Sequence, residues 1–217
     1  MDCNGLLSRQ GGASGRGVKV RIIAGQWRGL RLHAPEGSLT RPTTDRVKEA
    51  MFSLMGSRWS SGLAVDLFAG SGALGLEALS RGADGAVLVD HNRWSIQTIR
   101  QNADKCRTTD KMRIWQLDWR VAWRRLQIEN ASIGWVFVDP PYATALWPSV
   151  LEVVACSEIE VQDGVVCEHP VSQNLLETYG RLRRTKYRCY GEVCVSVYRD
   201  VKTGEVNHEN RGLSGKL

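Results

Sequence analysis

Asp139, Pro140, Pro141 and Tyr142 follow three hydrophobic residues, 136–138, whose pattern is typical of a strand buried on both faces. The side chain of Asp139 and the carbonyl of Pro140 are hydrogen-bond acceptors, and neither proline has an N–H group that would compete with them. Two acceptors held in this way can bind both protons of an exocyclic amine and so aim the nitrogen lone pair at an electrophile. Tyr142 can stack on the face of the base that carries the amine. The alternative is a turn whose two prolines merely stop the strand.

A second candidate site is the glycine-rich loop at residues 66–75, which follows one apolar run and opens a helical pattern. Glycine is required where φ is positive or where a ligand approaches the backbone closely. N–H groups at the start of the helix favour an anionic part of that ligand. Asp90, about twenty residues beyond Gly70, ends the next predicted strand and can accept hydrogen bonds from ribose hydroxyls. The loop therefore predicts an adenosine-type cofactor, and by itself it fits a dinucleotide and S-adenosylmethionine equally well.

The predicted cofactor-binding residues all lie in this loop or at the end of a predicted strand. They are Asp66, Gly70, Ser71, Gly72, Gly75, Asp90 and Asp118. Two interpretations of Asp118 stay open, because its carboxylate could accept a hydrogen bond from the adenine amine of the cofactor or could cap a helix at the surface.

The motif at residues 139–142 decides between the two cofactors. A hydride transferase has no need of two acceptors beside a stacking ring, whereas methylation of an exocyclic amine needs an acceptor for each amine proton. We therefore predict S-adenosylmethionine as the methyl donor and assign Asp139, Pro140 and Tyr142 to catalysis. Because the amine edge is inaccessible inside a nucleic-acid helix, the base must be unstacked or flipped before it reacts.

Strands alternate with helices from residue 63 onward. Strands are predicted at 63–68, 86–90, 112–118, 133–139 and 163–169, and helices after Gly72 and at 93–104, 119–127 and 146–156. This alternation predicts an open, doubly wound α/β fold with a mostly parallel sheet, in which ligands bind beyond the carboxyl ends of the strands. Residues 179–199 instead predict an antiparallel hairpin about Gly191 that closes the sheet.

The segment before this alternation is basic. Residues 1–60 hold ten Lys or Arg against four Asp or Glu, whereas the rest of the chain holds nineteen of each class. Residues 18–34 predict a small hairpin with cationic positions at Arg21, Arg28 and Arg31. A cationic segment on a neutral domain favours a polyanionic partner, nucleic acid before membrane, over a merely solvated basic face.

A helix is predicted after the hairpin, within residues 41–55, with its start at Thr43 or Thr44. Its spacing predicts a packed face of Val47, Ala50, Met51 and Leu54 and an outer face of Arg46, Lys48 and Glu49. We accordingly divide the chain into a flexible basic tail at 1–17, an RNA-contacting hairpin and helix at 18–60, a catalytic domain at 61–200 and a flexible tail at 201–217.

Several classes of protein are disfavoured by the composition. No apolar run reaches the roughly 18 residues of a membrane span, and the first residues lack the long apolar core of a secretion signal, so we expect a cytoplasmic protein. The six cysteines form no CxxC pair, and we predict reduced thiols. The four histidines are too dispersed to form a ligand set, so no metal is predicted. The oligomeric state is left open, with a monomer favoured.

A family resemblance is carried, in chain order, by the segments RIIAGQWRG, RPTTDRVKEAMF, DLFAGSGALGLEALSRGA, VFVDPPY and YGEVCVSVYR. Together they resemble the bacterial RsmD-type guanine-N2 methyltransferases, which act on 16S ribosomal RNA of the small subunit. The resemblance spans about residues 21–199 and implies a Rossmann-like class I S-adenosylmethionine-dependent methyltransferase fold.

Site residues can be carried over from the family position by position. The resemblance implies that the cofactor lies at Gly70, Gly72 and Asp90. It places the target amine at Asp139, Pro140 and Tyr142 and implies that Arg41, Thr43 and Arg46 help to frame the RNA site. The family commonly has glutamate where this chain has Asp90, whose side chain is one methylene shorter.

Three other functions remain open at this point. The first is an amine methylase that acts on adenine in DNA or on a glutamine side chain of a protein. The second is a non-catalytic RNA-binding module with a degenerate cofactor fold, which would bind RNA without transferring a methyl group. The third is a nicotinamide oxidoreductase, which leaves the motif at residues 139–142 unexplained.

Overall fold

An eight-stranded sheet forms the centre of the protein in a computed structural model that describes residues 20–35, 45–56, 59 and 61–201. Its strands are β3 (Leu63–Asp66), β4 (Gly85–Asp90), β5 (Met112–Gln116), β6 (Ile133–Val138), β7 (Val161–Pro170), β8 (Thr178–Tyr179), β9 (Leu182–Tyr190) and β10 (Val193–Asp200). Their order across the sheet is β5-β4-β3-β6-β7-β10-β9-β8. Neighbours from β5 to β7 are parallel, whereas β10, β9 and β8 each pair antiparallel. The prediction of a doubly wound, mostly parallel sheet with a closing hairpin is confirmed.

Helices cover both faces of this sheet. They are α1 (Asp45–Met55), α2 (Ala73–Ser80), α3 (Arg93–Cys106), α4 (Trp119–Ile128) and α5 (Trp147–Cys156). Helices α1, α2 and α3 share one hydrophobic core, and α4 and α5 share the other. Strand β6 separates the two cores and is buried at all six residues, with Phe137 in the first core and Val136 and Val138 in the second. Alternation of side chains along the strand explains this division.

The basic hairpin consists of β1 (Val20–Arg21) and β2 (Arg31–Leu32), which pair antiparallel as predicted. Ile22 and Leu32 join the first core together with Val47 and Met51 of α1. The hairpin is thus packed onto the sheet domain by its apolar residues, while Arg21, Arg28 and Arg31 are exposed. The predicted helix start at Thr43 or Thr44, and the site residues Arg41 and Thr43, lie outside the described residues.

The prediction that Lys48 lies on the outer face of α1 is wrong. Its side chain is 1% exposed, whereas Arg46 and Glu49 are exposed as expected. The Lys48 ammonium lies 3.4 Å from Oε2 of Glu77 and also donates to the Arg21 carbonyl. A buried ammonium is tolerated here because a buried carboxylate faces it.

The prediction of reduced thiols is wrong at one pair, since Cys189 and Cys194 form a disulfide. The turn at Gly191 places the two cysteines directly opposite each other on β9 and β10. Cys106, Cys156 and Cys167 are free thiols, and Cys3 lies outside the described residues. Cross-strand register therefore brings together two cysteines whose spacing in the sequence had no CxxC form.

No helix in the described part of the chain is long and apolar enough to cross a membrane. No group of three or more His, Cys, Asp or Glu side chains among the described residues is placed to hold a metal ion.

Candidate active site

Four carboxylates meet at the carboxyl edge of the sheet. Asp66 ends β3, Asp90 ends β4, and Asp139 directly follows β6, so that three neighbouring strands each bring one acid to this edge. Val138 pairs with Cys167, which makes Asp139 and Glu168 of β7 neighbours in the next row. The structure therefore brings three of the predicted site acids together and adds Glu168, which the sequence analysis did not single out.

The glycine loop is held open by Asp90. Gly70 has a φ of +53° and Gly72 a φ of +80°, both in the region that favours glycine. The Gly70 N–H donates to Oδ2 of Asp90 at 2.9 Å, and Oδ1 of Asp90 accepts from the Asn92 N–H at 2.8 Å. A Cβ at Gly70 would meet no atom within 4 Å, so the loop faces open space there. Asp90 thus shapes the loop as well as lying beside it.

Gly75 has a different role from Gly70. It lies inside α2, and a Cβ there would come within 2.8 Å of Cδ1 of Leu88 on β4. A Cβ at Gly72 would lie 3.0 Å from Cδ2 of the same leucine. Both glycines therefore let α2 approach the sheet, and the close approach brings the start of the helix to the edge where the acids lie. Ser71, between the two loop glycines, is half-buried.

Asp66 is buried beneath this loop, with 1% exposure. Its Oδ1 accepts from the Phe68 N–H at 3.4 Å, and its Oδ2 has no hydrogen-bond partner within the described residues. Burial raises the pKa of this carboxyl group to about 7, and the N–H groups of Phe68 and Gly75 counteract only part of that rise. An incompletely satisfied buried acid next to an open loop is what a site for a cationic or donor-bearing ligand requires.

The raised pKa of Asp66 predicts a pH-dependent stability. Because the unfolded chain loses this proton near pH 4 and the folded chain only near pH 7, the free energy of unfolding should fall as the pH rises between these values. Asp66→Asn removes this cost. The free energy of unfolding of the variant minus that of the wild type should therefore be about 4 kcal/mol larger at pH 8 than at pH 4. Urea unfolding of the ligand-free protein at both pH values measures the change. A difference between variant and wild type that does not vary with pH would contradict it.

Asp118 is an exposed helix cap. It precedes α4, and its Oδ1 accepts from the Arg120 N–H at 2.8 Å. The helix-cap interpretation is therefore confirmed, and a contact with adenine stays a prediction. Asp118 lies beyond β5, at one end of the sheet, two strands away from β3.

The motif that follows β6 is fixed by contacts with β7 and α5. The Tyr142 hydroxyl donates to Oε1 of Glu168 at 3.2 Å, and the Tyr142 ring lies 5.9 Å from the ring of Trp147. The indole Nε1 of Trp147 donates to the Glu168 carbonyl at 2.6 Å. Tyr142 is still 39% exposed, so it is oriented from one side and accessible from the other. A planar group can stack on such a ring without displacing it.

Glu168 is the residue at this motif that sequence reasoning missed. It is 3% exposed and lies near the carboxyl end of β7. The sequence did contain a signal for this residue, because Glu168 belongs to a predicted strand that ends at the same edge of the sheet as Asp139. His169, which follows it, is buried with its Nε2 2.9 Å from the Ser196 hydroxyl. Burial lowers the pKa of His169, which favours its neutral form and a structural role.

Asn102 links the glycine loop to the basic hairpin. Its side chain is fully buried on α3, and its Nδ2 donates to the Ser71 carbonyl at 2.8 Å and to the His33 carbonyl at 3.0 Å. Its Oδ1 accepts from the His33 N–H at 2.8 Å. One amide thus satisfies three backbone groups from two segments. No sequence signal distinguishes this asparagine from other polar residues of the helix.

Glu77 holds the hairpin against α2 in a similar way. Its fully buried carboxylate accepts from the Ile23 N–H at 2.7 Å and from the Ala24 N–H at 3.0 Å. It also pairs with Arg81 at 2.8 Å and with Lys48 at 3.4 Å. Because glutamate is common in helices, its burial could not be read from the sequence.

The remaining predicted RNA-binding residues lie on the surface of the hairpin and α1. Arg21 pairs with Asp45 at 2.6 Å, with 57% and 38% of the two side chains exposed. Arg28, Arg31 and Arg46 are exposed. An exposed ion pair of this kind contributes little to stability, so a phosphate can replace Asp45 at Arg21 at small cost.

Comparison with known proteins gives a consistent result. A family model described as Conserved hypothetical protein 95 matches residues 20–199. The chain is 35% identical over 181 residues to the Bacillus subtilis (strain 168) protein named "Putative rRNA methyltransferase YlbH", a match that covers 83% of this chain and 98% of that protein. It is 33% identical over 195 residues to the Escherichia coli (strain K12) protein named "Ribosomal RNA small subunit methyltransferase D", covering 88% of this chain and 95% of that protein.

A solved structure, "Putative methyltransferase yhhF from Escherichia coli", superposes with a TM-score of 0.67 at 31% sequence identity. The superposition covers 84% of this chain and 98% of that one. It confirms the Rossmann-like fold of class I methyltransferases that the resemblance implied. The match over residues 20–199 and the two relatives together show that this chain belongs to the Conserved hypothetical protein 95 family, the family of the RsmD-type methyltransferases.

Proposed function

We propose that the protein is a ribosomal RNA methyltransferase that transfers the methyl group of S-adenosylmethionine to the exocyclic N2 amine of a guanine in 16S RNA of the small subunit. The observation that carries the proposal is the adjacency of two sites at one sheet edge. The open loop of Gly70 and Asp90 lies on β3 and β4, and the motif of Asp139 and Tyr142 follows β6, the next strand beyond β3. The names of the relatives support ribosomal RNA as the substrate, and the family resemblance supports guanine N2.

The residues of the first site fit S-adenosylmethionine. One oxygen of Asp90 accepts from the Gly70 N–H of the loop and the other from the Asn92 N–H before α3, and a carboxylate oxygen can accept a second bond, here from a ribose hydroxyl. Asp66 would attract the ammonium group at the amino-acid end of the cofactor, which would also lower the pKa of this buried acid. Gly70, Ser71 and Gly72 supply a backbone that a ligand can approach, and Asp118 stays a candidate contact for adenine.

The charge at the carboxyl edge of the sheet also suits S-adenosylmethionine. When bound, S-adenosylmethionine supplies an electrophilic methyl group on a cationic sulfur. Asp90, which borders the glycine loop, would help to stabilise that positive charge when the cofactor is bound, whereas Asp139 and Glu168 belong to the neighbouring motif that holds the base.

The second site orients the amine and the base. Asp139 and the Pro140 carbonyl each accept one amine proton, which turns the nitrogen lone pair away from the protein and toward the methyl group. Positive charge develops on this nitrogen during transfer, and the Asp139 carboxylate stabilises it. Tyr142, held by Glu168 at 3.2 Å, stacks on the flipped base. Asp139 need not take the final proton, because the methylated ammonium is acidic enough to lose it to water.

The basic surface completes the assignment. Arg21, Arg28, Arg31 and Arg46 are placed to contact phosphates and to contribute affinity without choosing a base. Arg41 and Thr43, which the family resemblance assigns to the RNA site, precede α1 and lie outside the described residues.

Transfer of labelled methyl from S-adenosylmethionine tests the proposal. The substrates are unmethylated small ribosomal subunits, their protein-free RNA, DNA and bulk protein, each with wild type and Asp139→Ala. The proposal is supported if the wild type labels the ribosomal RNA, if that label is recovered as N2-methylguanosine, and if Asp139→Ala transfers none. Label in DNA or protein would favour an amine methylase of another polymer, and RNA binding without label would favour the non-catalytic module.

Asn102→Ala tests how the loop is positioned for the cofactor. Loss of the amide leaves the Ser71 and His33 carbonyls without their donor from the buried side chain, so the cofactor dissociation constant should rise about tenfold and the unfolding free energy fall by about 2 kcal/mol. Calorimetric titration with S-adenosylhomocysteine measures the first effect. Thr98→Ala on the same helix is the matched control, since its buried hydroxyl bonds only to the Trp94 carbonyl of α3. Equal affinities in the two variants would contradict a role for Asn102 in the loop.

A further inference from the structure

Strand β9 is a second basic segment, far in sequence from the hairpin. Its residues, LRRTKYRCY, include four Arg or Lys and no Asp or Glu, and most of the strand is exposed. Residues 61–217 are neutral overall in spite of this segment, because the acids that offset it lie elsewhere in the chain. This run of positive charges lies on an exposed strand, and none of its residues belongs to the candidate active site described above.

The outer side of β9 is open along most of its length. Strand β8 pairs only with Leu182 and Arg183, and the Arg184 N–H donates to the Glu177 carbonyl, so from Thr185 onward β9 pairs with β10 alone in the described part of the chain. Such an edge is accessible to a ligand from Thr185 to Tyr190.

A bulge aligns three of the cations on one face. Lys186 pairs with Val197 and Arg184 with Tyr198, so Thr185 is an extra residue that resets the alternation. Arg183, Lys186 and Arg188 consequently point to the same side as their partners Arg199, Val197 and Val195. Val195 and Val197 belong to the core beneath α1, and Lys186 donates to the Leu54 carbonyl at the end of α1 at 2.8 Å. We call Arg183, Lys186 and Arg188 the β9 cationic face.

One row of the sheet connects this face to the catalytic motif. Arg188 pairs with Val195, and Val195 pairs with Glu168. Glu168 in turn neighbours Asp139, because Val138 pairs with Cys167. Residues in one row point to the same face, so Arg188 and Asp139 share the α1 side at a separation of three strand spacings, about 14 Å. That distance is within reach of the backbone of a nucleotide next to a base bound at Asp139.

We propose that the β9 cationic face binds backbone phosphates of the RNA strand whose target base enters at Asp139. The inference rests on the proposed function for the identity of its ligand. The side chains of Arg183 and Arg188 make no hydrogen bond or ion pair within the described residues, so both guanidinium groups are available to a phosphate. Charged side chains also protect a bare sheet edge against pairing with another strand, but charges of either sign would serve that purpose. A face that carries only cations, one of them in the row of Glu168 and Asp139, favours a polyanion.

The test is RNA binding by Arg183→Gln/Arg188→Gln, measured with protein-free small-subunit RNA at several salt concentrations. Lys186 stays in place because it also contacts the end of α1. Arg100→Gln/Arg124→Gln is the matched control, since it removes the same charge from exposed positions on α3 and α4. We expect at least a tenfold weaker affinity in the β9 variant and a slope of log affinity against log salt that is smaller by about 1 to 2. The affinity for S-adenosylhomocysteine should stay unchanged.

The experiment distinguishes failure of the proposal for the β9 cationic face from failure of the proposed function. RNA affinity and salt slope equal to those of the control variant would overturn the inference, even if methyl transfer to RNA is observed. The absence of RNA binding by the wild type would overturn it as well. Weakened RNA binding in a protein that transfers no methyl group to RNA would support the β9 surface and reject the proposed function instead.

Discussion

Asp139→Ala should lower kcat for methyl transfer to ribosomal RNA by about 100-fold or more, while the cofactor dissociation constant changes by less than about threefold. The expected loss is large because the carboxylate acts twice, once in orienting the amine and once in stabilising the positive charge that forms on its nitrogen. Cofactor affinity should be spared because Asp139 follows β6, whereas the loop and Asp90 that face the cofactor belong to β3 and β4. Single-turnover transfer and calorimetric titration measure the two quantities separately.

Two further variants sharpen this experiment. Asp139→Asn keeps one acceptor oxygen and loses the charge, so its rate should lie between those of the wild type and Asp139→Ala. Asp110→Ala removes an exposed carboxylate outside the edge of the active site and should leave kcat unchanged. Full turnover by Asp139→Ala would reject the catalytic role of the carboxylate, and a parallel loss of cofactor binding would show that Asp139 holds the site together instead.

Glu77→Leu should lower the free energy of unfolding by about 3 to 5 kcal/mol. The variant leaves the Lys48 ammonium buried without its carboxylate and removes the acceptor of the Ile23 and Ala24 N–H groups. Burial already lowers the pKa of Lys48, and Glu77 opposes that effect. Loss of Glu77 therefore forces Lys48 to lose its proton or leave the core, at a cost to the packing of α1.

The double variant Glu77→Leu/Lys48→Met shows how much of this loss of stability comes from the buried charge of Lys48. Methionine removes the ammonium and keeps the length of the side chain, so the double variant should regain a substantial part of the stability lost in Glu77→Leu. It should stay below the wild type, because the two backbone N–H groups of the hairpin still lack their acceptor. Denaturant unfolding at pH 7 measures all three proteins. A double variant no more stable than Glu77→Leu would contradict the assignment of the cost to Lys48.

The predictions for Glu77 and Asn102 share a structural cause, which is that the hairpin and the central sheet form one packed unit. Glu77 and Asn102 bind the hairpin backbone from α2 and α3, and Asn102 also binds the glycine loop. The hairpin and the glycine loop are therefore connected through buried polar side chains.

Much of the fold follows from periodicity. Apolar runs of strand length alternate with helical patterns, and this alternation alone predicts parallel strands under two helix layers. The rule that ligands bind beyond the carboxyl ends of such strands then brings Asp66, Asp90 and Asp139 to one edge, where the structure has them. The proposal of amine methylation also came from the sequence, because Asp139, Pro140 and Tyr142 lie within four residues of the chain.

Long-range partners could not be predicted in this way. A helical pattern shows that α1 has an apolar face, but whether Lys48 lies inside or outside depends on a carboxylate 29 residues later, on another helix. The pairing of Cys189 with Cys194 and the row that joins Arg188 to Asp139 depend on strand register, which turns and bulges set. Glu168 supports Tyr142 only because β7 lies beside β6.

The sequence by itself thus determined the class of fold and the edge that carries the candidate site, and it led to the chemistry proposed for the motif after β6, because each of these depends on local order along the chain. Only the tertiary structure decided which buried charges compensate one another, which amide holds the glycine loop and which cations share a face with Asp139. Those features depend on distances between segments far apart in the chain, and packing and strand register, rather than local pattern, set such distances.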